Sequence, residues 1–317
     1  MPRGTQAWRQ HDHRAVAATS PCHRQRSMTI TRALPETKDR GSSLQASARS
    51  TPAMLAYFVL AFAWAWGVGW AATQVKVESP ALSIALMMLA GFGPSLAGFA
   101  VVAVFSGASG LRDWAGRCLN WRLGWRWFLL AFLAPPTVMV CALALHAALG
   151  GALPDFPAAR HIPLAMANFG LVLLVGGPLG EEFGWRGYLM PALTGRMNWR
   201  AASLVIGMTW GIWHLPLFYI AGTTQAQMPI PVFLLNILAG SVLFGWLYHR
   251  TRASVLPALV LHTSLNAWAG ILAIVPTPGM GRPYVLVTAI LVLIALALLL
   301  MPDRRLGLHE SALDWRP

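Results

Sequence analysis

Gly180-Glu181-Glu182-Phe183-Gly184-Trp185-Arg186 sets two adjacent carboxylates inside a long apolar run, and between Phe156 and Pro302 there is no other acidic residue. An ionisable side chain at bilayer depth costs at least ~3 kcal/mol on insertion scales, so its retention marks a functional site in a membrane-spanning helix. The rest of the chain supports that setting. Of its 317 residues 56% are hydrophobic and 11% charged, with a mean hydropathy of +0.54. A soluble domain carries about 25% charge. The chain is therefore predicted to be all-α and polytopic, because only helices or closed barrels satisfy backbone polar groups in lipid and these apolar runs are too long for barrel strands.

About eight apolar segments approach the ~20 residues needed to cross the hydrocarbon. They fall near 54–73, 82–105, 127–149, 168–190, 201–220, 230–248, 254–275 and 284–301. With the N-terminus inside, 21 of the 24 Lys and Arg fall on the inner side, and Lys76, Arg160 and Arg282 fall outside. That asymmetry puts both ends in the cytoplasm. It also accounts for the formal charge of +13 without a nucleic-acid partner. Residues 1–50 carry nine of those cations and no sustained apolar periodicity, and read as a disordered basic cytoplasmic tail. Residues 51–301 form the transmembrane domain, and 302–317 a short cytoplasmic C-terminal tail. Met28 is an alternative start. Cys22, Cys118 and Cys141 are scattered and form no C-x-x-C pair, so neither a disulfide framework nor a thiolate metal site is indicated.

Glu182 and Arg186 are four apart and share a helix face, so an ion pair offsets the cost of burying either. Glu181 is turned about 100° away and is free for other work. The fifth segment supplies Trp210 and His214 one turn apart, and the seventh supplies His262 and Asn266 at the same spacing. At ~1.5 Å per residue from the cytoplasmic ends, Glu181, His214, His262 and Asn266 lie roughly 18, 20, 12 and 18 Å deep, which gathers them at one level. These depths favour access from the cytoplasm. Gly91-Phe92-Gly93-Pro94 and Gly176-Gly177-Pro178 should kink their helices or let them pack closely, the second aiming the glutamates. A carboxylate and an imidazole flanking one water make a general base, and an amide with a second imidazole can stabilise an oxyanion. Glu181, His214 and His262 could instead ligate a divalent metal such as zinc that activates the same water.

The three motifs, Glu181-Glu182-x-x-x-Arg186, Trp210-x-x-x-His214 and His262-x-x-x-Asn266, closely resemble those of the CPBP family of CAAX proteases and bacteriocin-processing membrane proteins. The flanks agree in Gly187-Tyr188-Leu189 with Pro191, Leu215-Pro216-Leu217, and Trp246-Leu247-Tyr248. The likeness spans roughly residues 55–275. It implies a helical-bundle intramembrane endopeptidase in which Glu181 and His214 activate water, His262 and Asn266 hold the oxyanion, and Glu182 with Arg186 gives support. Trp210 stands where the pattern often has Phe. The substrate would be a membrane-associated peptide or protein, with no prenyl group indicated, and the setting a bacterial inner membrane. The alternatives are a non-catalytic immunity or scaffold protein that binds such a partner, and a transporter, against which the lack of an inverted repeat of the charged motifs counts.

Overall fold

The computed structural model describes residues 49–76, 78–156, 161–276 and 281–308, all within one unit. The expected tail over 1–50 lies almost wholly outside the described residues, as does most of 302–317. Among the described residues there is no strand. The helices are α1 (Thr51–Gln74), α2 (Pro80–Ala90), α3 (Gly93–Cys118), α4 (Trp125–Ala148), α5 (Ile162–Val175), α6 (Pro178–Gly184), α7 (Met190–Thr194), α8 (Trp199–His214), α9 (Ile230–Arg250), α10 (Leu256–Ile271) and α11 (Arg282–Leu300). Local chemistry sets several starts. The Asn198 Oδ1 accepts from the Ala201 amide at 2.9 Å and caps α8, and Ser50 Oγ accepts from Ala53 to cap α1, which carries proline in its first turn.

Every expected segment is met by a rod, with three changes of detail. Six helices are long and apolar enough to cross a bilayer: α1, α3, α4, α8 with its 3-10 extension to Tyr219, α9 and α11. The pair Pro163–Val175 and Pro178–Thr194, bent by 41°, makes a seventh span. The eighth rod, α10, has 16 residues. That is roughly 24 Å at 1.5 Å per residue, short of the ~30 Å hydrocarbon. The segment expected over 82–105 is in fact two helices parted at Gly91–Phe92, because Pro94 has no amide to continue the ladder.

These breaks place the glutamates. A Cβ added to Gly180 would meet the Gly91 carbonyl oxygen at 2.5 Å, and one on Gly184 would strike the Pro94 backbone. So α3 and α6 touch backbone to backbone, as small residues permit in lipid. Ser95 Oγ donates to the Leu179 carbonyl at 2.9 Å and fastens the crossing. Between α5 and α6, Gly177 takes φ +106°, a conformation suited to glycine, and the space a Cβ would fill is occupied by Glu181 Oε1. Beyond the glutamates, Trp185–Leu189 forms a π-helical turn in which the Met190 amide reaches back to the Trp185 carbonyl. Pro191 lacks the amide that would have bonded Gly187, and the Arg117 Nη2 comes to 3.5 Å from that carbonyl instead. Such π turns concentrate at functional sites.

Candidate active site

Glu182 is fully buried. Its Oε1 accepts from Arg186 Nη1 at 3.0 Å, the pair expected from their spacing, and from His262 Nδ1 at 2.9 Å. An ionised carboxylate only accepts, so His262 carries its proton on Nδ1. The Arg186 guanidinium, also fully buried, sits over the rings of Phe244 and Trp210 at 4.2 and 4.9 Å. Aromatic faces replace part of its lost hydration. Glu182 Oε2 and Arg186 Nε and Nη2 have no hydrogen-bond partner among the described residues.

Glu181 points elsewhere. Its Oε2 accepts from Trp210 Nε1 at 2.5 Å. One turn on, His214 Nδ1 lies 2.8 Å from the Trp210 backbone carbonyl, which only accepts, so the proton sits on Nδ1 and the Nε2 lone pair is open. Trp210 thus orients both groups, Glu181 with its indole and His214 with its backbone. The rings of Trp213 and Phe233 pack edge-on to His214 at 4.8 and 5.3 Å.

Glu181, His214, His262 and Asn266 all line one cavity of about 1260 Å³, while Glu182 and Arg186 lie behind its wall. Asn266 is exposed, and its Nδ2 is 3.4 Å from the Gly176 carbonyl. The four side chains grouped by helix depth share the wall of this one cavity. Two contributions were not foreseen. The Trp210 indole bonds to Glu181 as well as supporting His214, and Phe244 packs against Arg186, Trp210 and His262 together. Its place in an unbroken apolar run carries no signal in the sequence.

The two ends of the cavity differ. At one end it is lined by Lys76, Tyr219, Ala221, Thr224 and Gln225, from the segments that follow α1 and precede α9. Lys76 Nζ donates to the Ala221 carbonyl at 2.5 Å across that end. At the other it reaches Trp246 and Leu247. There Trp246 meets Trp127 edge-to-face at 6.3 Å, and the guanidiniums of Arg126 and Arg250 cover Trp127 at 5.5 and 5.2 Å.

A metal would need the Glu181, His214 and His262 donors to converge. Among the described residues no group of three His, Cys, Asp or Glu side chains does so. His262 Nδ1 is spent on Glu182, and one Glu181 oxygen on Trp210. The residues as arranged do not fit a three-ligand cradle.

A bent helix carrying paired glutamates, two helices presenting a His and a His-Asn pair, and a shared apolar cavity together make a buried polar site inside an apolar helical bundle. Residues 163–268 match the family model described as type II CAAX prenyl endopeptidase Rce1-like, which takes in all three motifs. The chain is also 26% identical over 203 residues to "CAAX prenyl protease 2" of Methanococcus maripaludis, covering 60% of this chain and 71% of that protein. The matched segment carries Glu181, Glu182, Arg186, Trp210, His214, His262 and Asn266. Both findings support a CAAX-type membrane peptidase.

Proposed function

We propose that this chain is an intramembrane endopeptidase that hydrolyses a peptide bond of a membrane-associated peptide or protein with a water held between Glu181 and His214. The observation that carries this reading is the lining of one cavity by Glu181, His214, His262 and Asn266. His214 accepts from the water through its open Nε2. Glu181 takes the proton as the water oxygen bonds to the scissile carbonyl carbon, and its bond from Trp210 fixes its direction. The carbonyl oxygen gains the charge. Asn266 Nδ2 and, in the imidazolium form, His262 Nε2 donate to it, while His262 Nδ1 stays on Glu182. Glu181 then passes its proton to the nitrogen of the leaving amine as the C–N bond breaks. Glu182 and Arg186 hold His262 in register and touch no substrate.

In this reading residues 51–301 are the protease domain, flanked by tails on the cytoplasmic side of a bacterial inner membrane. The test is turnover of quenched peptides, prenylated and unprenylated, by detergent-purified protein beside Glu181→Gln and His214→Ala, each with and without a chelator. Turnover lost in both variants and retained with chelator is the expected result. Turnover lost with chelator and restored by zinc would replace the metal-free mechanism. Full activity in Glu181→Gln would overturn the assignment.

A further inference from the structure

We infer that Asn236 is a substrate-binding residue of this cavity: its Oδ1 accepts one backbone N–H of the peptide beside the scissile bond. The protein then selects chains with an unsubstituted amide at that position and rejects proline there, which lacks the N–H. The inference rests on the protease reading and deepens it. Asn236 lies on α9, three residues after Phe233, whose ring is 5.3 Å from that of His214. Three residues advance a helix about 4.5 Å and leave it about 60° short of a full turn, so Asn236 follows Phe233 along the same wall. Both side chains line the cavity shared by Glu181, His214, His262 and Asn266. Every other lining residue supplied by α9 is aliphatic, aromatic or glycine.

The neighbours of Asn236 fix which way its amide faces. Thr288 on α11 is buried and does not line the cavity, and its hydroxyl donates to the Tyr284 carbonyl at 2.9 Å. With its proton spent, that oxygen can only accept, and Asn236 Nδ2 donates to it at 3.0 Å. The amide nitrogen is therefore held behind the wall. The oxygen of a planar amide points away from its nitrogen, and Asn236 Oδ1 has no hydrogen-bond partner among the described residues. Tying α9 to α11 takes the nitrogen alone. What remains is an oriented acceptor in an otherwise apolar stretch of wall. An extended peptide brings the complementary group. Asn266 and His262 supply donors, which suit its carbonyl oxygen, and Glu181 is committed to Trp210 and the water. The N–H groups flanking the scissile bond lose their own water on entry, and a buried donor left unmatched carries its full desolvation penalty. Asn236 Oδ1 answers one of them.

The experiment uses the full chain purified in detergent and a quenched peptide that it cuts, remade with a single backbone N-methyl group at each position in turn except the scissile nitrogen. The methyl group removes an N–H and leaves the side chain in place. In the native protein one position beside the cut should lower kcat/KM by about tenfold or more. Most of that loss should appear in KM, because the contact is made in ground and transition states alike. Asn236→Leu should lose a similar factor on the unmodified peptide and nothing further on the peptide methylated at that position. Thr288→Val frees the amide to turn and should give a smaller loss confined to the same position. If Asn236→Leu does not fold, the scan of the native protein against Thr288→Val decides. Absence of any sensitive position overturns the assignment, as does a sensitive position whose penalty is the same in Asn236→Leu. A lower melting temperature with unchanged kcat/KM in Asn236→Leu makes the residue a tie between α9 and α11 and overturns it too. No cleavage of any peptide by the folded native protein overturns the protease reading itself, an outcome distinct from these.

Discussion

Glu181 and Glu182 are neighbours in sequence and live in different solvents. Glu182 sits in a fully buried block with Arg186, His262, Trp210 and Phe244, where two donors of Arg186 have no partner among the described residues. Glu181 lines a cavity large enough for water and substrate, and one indole hydrogen bond orients it. The difference teaches how one motif divides its two carboxylates: the helical phase of about 100° sends one into packing and the other into the cavity.

Substitutions can break that comparison, and the largest effect belongs to the cavity side. Glu181→Gln keeps the shape and removes the base, so kcat should fall roughly 10²–10⁴-fold with an unchanged melting temperature. A fall in melting temperature with retained turnover would invert the two roles. On the buried side, Arg186→Met leaves Glu182 buried without its cation and should cost about 3–5 kcal/mol of stability, read by thermal unfolding in detergent. If Arg186→Met unfolds normally, the block is not a structural unit. Trp210→Phe sharpens the boundary, because it keeps the ring beneath Arg186 and deletes the donor to Glu181. A hydrogen bond to a charged group is worth about 1.5–3 kcal/mol, so turnover should drop roughly 10- to 100-fold while stability changes little. The smallest effect is expected at Ser95→Ala, which removes the α3–α6 tie and should cost about 1 kcal/mol in the same melt.

Much of this was legible beforehand because it depends on single helices. Hydropathy locates the rods, and four-residue spacing predicts the Glu182–Arg186 pair, found at 3.0 Å. The glycine-proline clusters mark real breaks, since a missing side chain or amide acts locally. What depends on two helices at once was not legible. No property of residue 210 alone says that its indole will reach a carboxylate 29 positions earlier. Nor does an apolar run at 254–275 say that its helix stops at Ile271. Turn and helix look alike to a hydropathy window, which does not show that α8 passes at His214 into the 3-10 turn Leu215–Tyr219.

The end of the cavity where Trp246 meets Trp127 beneath Arg126 and Arg250 has an electrical consequence. A wet cavity that reaches most of the way through a bilayer is a few side chains from being a conductor. An apolar constriction resists wetting, and fixed positive charge behind it raises the barrier to protons and other cations. In the proposed protease, the two indoles and two guanidiniums would therefore oppose ion leak through a cavity that takes in water.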